Sequence, residues 1–326
     1  MVVYDRFGRP VKGVRISLNS SSHCNFNCIF CHKEGIYSPP NYMTATEIGR
    51  IIRVLTRFGI EYAKLTGGEP LLRSDIVEIV REVKDAGIKE LSMTTNGTRL
   101  PTLAHELKEN GLDRINISLH SLKRDRFRFI TGVNMLDNTF KAIQESIDAK
   151  LNPVKLNVVV LKGVNDDEIH DLIEYSYSLG GRETNVLQLI ELLKVDQEFY
   201  QKYHFDLNII EKEISKIAIK VRYRRLQNRP VYYLKNGVQV EFVKPMYNHA
   251  FCMGGDRIRI TYDGKFKPCL MRTDNHVDFL EAMRSGASDE ELAQIFLKAV
   301  SLREPFFKTE VSKEEVYHVD TSSCII

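Results

Sequence analysis

Between residues 13 and 191, short β-rich runs alternate with longer amphipathic ones, and that alternation leaves few folds open. Strand patterns fall at 14–18, 62–66, 90–94, 113–119, 155–161 and 185–190. Helical patterns lie between them, at 46–58, 75–86, 102–110, 137–149 and 166–178. The spacing of apolar residues separates the two kinds. Ser74 is a candidate N-cap for the second helix, and Gly87, Gly111 and Gly180 stand where helices should stop. Consecutive βα units require parallel strands joined by right-handed crossovers. Six of them predict an α/β fold containing a partial (β/α)6 barrel of the TIM type. Functional side chains should then gather at the C-terminal ends of its strands.

After residue 191 the pattern changes. Two hairpin signals appear: 231–234 with 238–243 about Asn236-Gly237, and 257–262 with 265–269 about Asp263-Gly264. Helices are expected at 277–284 and 289–301, followed by a polar tail. The chain thus divides into an N-terminal extension (1–12), the partial barrel (13–194) and a smaller α+β C-terminal domain (195–326). With 46 basic and 43 acidic residues, bulk charge offers no warrant for nucleic-acid binding, although a local basic pocket for an anionic small molecule remains open. The N-terminus becomes charged too early for a secretory segment, and no apolar run is long enough to span a bilayer. A cytoplasmic protein without nucleic-acid or membrane partners is the expectation.

Of the six cysteines, Cys24, Cys28 and Cys31 crowd into eight residues directly after the first strand. Such clustering reads as metal or redox chemistry rather than a disulfide framework. Three thiolates can hold three irons of a [4Fe–4S] cube and leave the fourth open to an exogenous ligand. A zinc knot is the competing reading, with His23 or His32 as fourth ligand. Thr66-Gly67-Gly68-Glu69-Pro70 ends the second strand. Its glycines would let backbone approach a ligand, and Glu69 can accept from an ammonium group. Alone, the same residues would also make an ordinary βα turn.

The Cys-x3-Cys-x2-Cys spacing resembles the signature of the radical S-adenosylmethionine (SAM) superfamily. In that superfamily the open iron chelates the amino and carboxylate groups of SAM. Reductive cleavage then yields a 5′-deoxyadenosyl radical that takes hydrogen from the substrate. Further segments are similar to the GTP 3′,8-cyclase family of molybdenum cofactor biosynthesis, in its archaeal branch. They are Asp5-Arg6-Phe7-Gly8-Arg9, Cys31-His32-Lys33-Glu34-Gly35, Thr94-Thr95-Asn96-Gly97, the run 114–119, Lys162-Gly163-Val164-Asn165-Asp166, Arg257-Ile258-Arg259-Ile260 and the run 285–292.

The resemblance implies a lyase that abstracts hydrogen from the GTP ribose C3′ and joins that carbon to guanine C8. It assigns Phe30, Gly68, Ser118 and Leu193 to SAM contacts, Leu193 standing where methionine is usual. Arg15, Lys64, Thr94, Lys155, Arg257 and Arg259 fall on GTP contacts. An external electron donor and a downstream pterin-forming enzyme are implied as partners, and a homodimer is allowed.

The resemblance also implies a second [4Fe–4S] cluster in the C-terminal domain, on a Cys-x2-Cys-x13-Cys pattern. Here Cys252 and Cys269 take the first and third positions, and Gly255 takes the second. Three outcomes stay open: an altered cluster using Cys324 or His249, another metal held by two cysteines with His or Asp256, or a vestigial site. The loop before Cys24 is two residues longer than usual, through Ser20–Ser22, and the family's C-terminal Gly-Gly is replaced by Ser323-Cys324-Ile325-Ile326.

Overall fold

The computed structural model of the chain describes residues 2–36, 41–181 and 184–307. Six parallel strands follow the order of the sequence: β1 (Gly13–Ser17), β2 (Tyr62–Thr66), β3 (Glu90–Thr95), β4 (Arg114–Ser118), β5 (Val154–Val159) and β6 (Asn185–Ile190). The helices that cover them are α1 (Ala45–Thr56), α2 (Ile76–Asp85), α3 (Leu100–Glu109), α4 (Arg124–Thr131), α5 (Leu136–Asp148) and α6 (Ile169–Ser178). All six expected strands form, and so do all five expected helices.

Two local expectations are corrected. The N-cap position of helix α2 is Asp75 rather than Ser74, and it makes no side-chain cap because Arg73 holds the Asp75 carboxylate from Nε (2.7 Å) and Nη2 (2.6 Å). Helix α4 was not anticipated, since its run Arg-Asp-Arg-Phe-Arg-Phe-Ile-Thr is mostly polar. Only Phe127, Ile130 and Thr131 are buried, and the helix stops at Gly132 with φ 76°. A left-handed C-terminal glycine of this kind is the signal that marks it.

Beyond the barrel lie α7 (Gln197–Tyr203), α8 (Leu207–Ile217), β7 (Ala218–Arg224), β8 (Arg229–Leu234), β9 (Gln239–Val243) and α9 (His249–Met253). They are followed by β10 (Arg257–Ile260), β11 (Lys265–Lys267), β12 (Val277–Asp278), α10 (Leu280–Arg284) and α11 (Asp289–Ser301). Both hairpins form where Asn-Gly and Asp-Gly predicted, with Gly237 at φ 90° and Gly264 at φ 73°. The segment 277–284 is not one helix: Val277 and Asp278 pair with β11 before α10 begins.

The C-terminal strands continue the barrel sheet at both edges. Strand β9 runs parallel beside β6, and β10 runs parallel beside β1. The order is β12-β11-β10-β1-β2-β3-β4-β5-β6-β9-β8-β7. Alternation along each strand then fixes two faces. Val14, Ile16, Ala63, Leu65, Leu91, Met93, Ile115, Ile117, Leu156 and Val158 pack in the core with the helices. Each large aliphatic side chain so buried contributes roughly 1.5–3 kcal/mol. The alternate residues, Arg15, Lys64, Thr66, Thr94, Asn116, Lys155 and Asn157 among them, line a cavity. A filled barrel would carry apolar side chains there, and this one carries a polar lining instead.

Candidate active site

The cavity measures about 710 Å3, within the range of small-molecule sites. The loop after β1 brings the cysteines to it, and its backbone is held from two sides. Gly68 N donates to Asn19 O (2.9 Å) and Glu69 N to His23 O (2.9 Å). Opposite, Asn27 N donates to Thr131 O (2.8 Å) and Ile29 N to Ile130 O (3.0 Å), so the unanticipated α4 anchors the cysteine segment. Gly67 holds φ +117°, and a Cβ on Gly68 would lie 2.1 Å from Ser20 O and 2.5 Å from His23 O. The first demand on the Gly-Gly pair is therefore passage of the cysteine loop, before any ligand.

Glu69 also serves as a buttress within the protein. Its carboxylate is buried and accepts from the Thr95 hydroxyl (2.5 Å), Leu71 N–H (3.0 Å) and Asn96 N–H (2.8 Å). Burial pushes its carboxyl up to about 6, against the pull of those donors. The bonds from Thr95 and Asn96 tie the end of β2 to the end of β3.

Burial also pushes the thiols up, Cys24 to about 11 and Cys28 to about 12, with Cys31 raised as well. Thiols so placed are protonated until a metal takes them as thiolates. Among the described residues no three His, Cys, Asp or Glu side chains converge as ligands of one ion. A single zinc needs four such ligands converging at about 2.0–2.3 Å, whereas a cube takes thiolates on separate irons. His32 Nδ1 accepts from Glu34 N–H (3.1 Å), and His23 packs edge-on against Tyr42. Three cysteines on one loop fit a cluster that takes one thiolate on each of three irons.

The same cavity holds a row of cations. Arg259, Arg15 and Lys64 are register partners across β10, β1 and β2. Like charges placed directly opposite repel. One carboxylate answers two of them: Glu34 accepts from Arg15 Nη2 (2.6 Å) and Arg259 Nη1 (2.8 Å). Burial opposes its charge, but the two guanidinium groups prevail and hold the carboxyl well below the usual range. Lys64 has no carboxylate partner among the described residues, and its Nζ donates to Asn116 Oδ1 (2.7 Å). Arg15 Nε and Arg257 Nε are buried without a hydrogen-bond acceptor. Orphaned donors of this sort cost about 1–3 kcal/mol each, so the site as built wants acceptor atoms.

On the far wall, the buried Glu241 of β9 pairs with Lys155, Arg229 (3.1 Å) and Arg224 (3.3 Å). Burial again opposes ionisation, and the three cations overcome it. Glu34, Arg114, Arg224 and Arg229 line the cavity or serve its charges, and sequence reasoning missed them. For Arg224 and Arg229 the reason is sheet order, which alone carries β7 and β8 to the barrel. The residues assigned to cluster, SAM and GTP, by contrast, all line this one cavity.

Cys252 on α9 and Cys269 after β11 line it too, with Gly255 beside them. The proposed substitute ligands His249 and Asp256 each have a partner within the protein. His249 Nδ1 faces Phe307 O (3.1 Å), and Asp256 is bonded by the Tyr62 hydroxyl. Cys324 lies outside the described residues. Among the described residues, Cys252 and Cys269 are the two thiols at this end of the cavity.

The sequence matches the radical SAM superfamily over residues 18–176 and the molybdenum cofactor synthesis C family over residues 185–309. A protein of Thermococcus kodakarensis named probable GTP 3′,8-cyclase is 46% identical over 315 residues, covering 94% of this chain and 100% of that one. The chain belongs to the GTP 3′,8-cyclase family of radical SAM proteins. A relative of the same name from Thermoplasma volcanium is 44% identical, with 97% of each chain covered. Among solved structures, Streptococcus suis SuiB bound to its precursor peptide SuiA aligns with TM-score 0.63 at 14% identity, over 93% of this chain and 67% of that one. The anSMEcpe structure with AdoMet and the Cp18Cys peptide aligns with TM-score 0.62 at 14% identity, over 92% and 84%. At such identities these two speak for the fold alone. In this radical SAM chain no described helix is long and apolar enough to cross a membrane.

Proposed function

We propose that this chain is a GTP 3′,8-cyclase, a lyase that converts GTP to 3′,8-cyclo-7,8-dihydro-GTP. The observation that carries the reading is one cavity lined both by the Cys24, Cys28 and Cys31 loop and by the Arg259–Arg15–Lys64 row. A triphosphate supplies the acceptor oxygens that Arg15 Nε and Arg257 Nε lack, and guanidinium groups suit its geometry.

In this reading Cys24, Cys28 and Cys31 hold one [4Fe–4S] cluster. With SAM bound to it, the pair supplies a radical able to take the ribose C3′ hydrogen. The chain's own part is positioning. Phe30, Gly68, Ser118 and Leu193 seat SAM, while Arg15, Lys64, Lys155, Arg257 and Arg259 seat the phosphates and Thr94 adds a hydroxyl. Holding both reactants in one cavity replaces an encounter in solution. The reaction calls on an external one-electron donor, and its product on a second, pterin-forming enzyme.

Gly255 supports a second assignment within this reading, that Cys252 and Cys269 hold no further three-cysteine cluster. It also favours the alternative that the guanine is recognised differently, or that another purine nucleotide is the substrate. Anaerobic reconstitution followed by product analysis with SAM, dithionite and GTP tests both. Cyclised GTP together with 5′-deoxyadenosine is expected; 5′-deoxyadenosine without cyclised GTP would transfer the reading to another substrate. Loss of 5′-deoxyadenosine in Cys28→Ala is the accompanying check on the triad.

A further inference from the structure

Glu34 is out of place by simple electrostatics. A cavity for a polyanion gains nothing from a carboxylate on its cations, yet Glu34 occupies Arg15 at 2.6 Å and Arg259 at 2.8 Å, and the Thr66 hydroxyl adds a longer contact at 3.2 Å. Its backbone is equally unusual. Lys33 (φ 50°) and Glu34 (φ 51°) are consecutive non-glycine residues in the left-handed region. Side chains hold that conformation only where the surroundings compensate. Here the compensation is visible: two guanidinium groups hold the carboxylate.

We propose that Glu34 is a resident counter-ion, which keeps Arg15 and Arg259 balanced in the empty site and is displaced from them when substrate phosphates arrive. The proposal rests on the reading of this cavity as a polyphosphate site. The empty barrel needs such a group, because Arg259, Arg15 and Lys64 are adjacent in register, with Lys64 buried and both arginine side chains part-buried. A phosphate chain brings more acceptor oxygens than one carboxylate. It can reach Arg15 and Arg259 and also Lys64, which Glu34 leaves without an anion. Displacement also releases the left-handed turn from the arginines that fix it. Glu34 thus trades affinity for a stable empty state, and removing its charge should move the two quantities in opposite directions.

The test uses cluster-loaded protein under anaerobic conditions and inorganic tripolyphosphate as the probe, without nucleoside or SAM. Calorimetric titration of Glu34→Gln, which keeps the shape and removes the charge, should show binding tightened about tenfold or more, since an adjacent unit charge has been lost. The empty variant should unfold at lower temperature than the wild type. Binding that is unchanged or weakened would overturn the proposal and leave Glu34 a buttress for the two arginines.

Hydrogen exchange in the wild-type protein tests the same point without a variant. The peptide spanning 31–36 should exchange faster once tripolyphosphate binds, and added protection there would overturn displacement. Failure of GTP to bind while tripolyphosphate still does would count against the substrate reading and leave this one standing.

Discussion

Lys64 Nζ and Asn116 Oδ1 lie 2.7 Å apart inside the barrel, a buried ammonium resting on a neutral amide. Burial first, then the neighbouring Arg114, Arg257 and Arg15, lower the lysine pKa well below its ordinary value. A bound polyanion raises it again. Binding should therefore take up a proton over the window that opens at the lowered pKa, and affinity should fall as pH rises through it. The empty protein behaves inversely: its unfolded state binds the extra proton, so it gains stability across the same window. Titration in buffers of different ionisation enthalpy measures the uptake. Lys64→Arg should lose it, and Lys64→Met should weaken GTP binding roughly 10- to 100-fold, the worth of one charged hydrogen bond.

Gly68→Ala puts a Cβ 2.1 Å from Ser20 O, a backbone atom of the cysteine loop. Neither segment can yield without moving the cysteines. The variant is expected to lose about 1–3 kcal/mol of stability and to retain less iron after reconstitution than the wild type. Iron analysis beside thermal unfolding checks it; wild-type values in both would mean that the loop passes Gly68 more loosely than described.

Gly255→Cys should restore a three-cysteine set. A Cβ there meets Cys252 O at 3.1 Å and Arg9 Nη1 at 3.9 Å, so the backbone at Cys252 must yield by a few tenths of an ångström to admit it. Wild-type protein is expected to carry about four irons per chain and the variant about eight, one cube against two. Eight irons in the wild type would mean that another group completes the second site.

Glu241→Gln leaves Lys155, Arg224 and Arg229 without their shared carboxylate. Removing one member of a buried ionic cluster costs about 3–5 kcal/mol. Tripolyphosphate should return part of that loss by supplying negative charge nearby. A larger ligand-induced rise in melting temperature in the variant than in the wild type is the expected result.

Much of this protein is legible along the chain, because its determinants are local. Period-two runs mark β1 to β6, and Asn236-Gly237 and Asp263-Gly264 mark their hairpins, since backbone conformation depends on a few adjacent residues. The cysteine triad is likewise local, as three ligands within eight residues of one loop declare themselves by spacing. Tertiary structure alone decided what those elements share. Glu34 has nothing nearby in sequence to distinguish it from a solvated glutamate, and its partners Arg15 and Arg259 are 19 and 225 residues away. Nor does the sequence show that the end of β3 would bring two donors, Thr95 and Asn96, onto Glu69. The cation row exists only because β10 and β2 flank β1 in register, and strand order is set by how the sheet buries its apolar face. Chemistry carried by adjacent residues is therefore written in the sequence, whereas charge balance, which sums over neighbours in space, is fixed only by the fold.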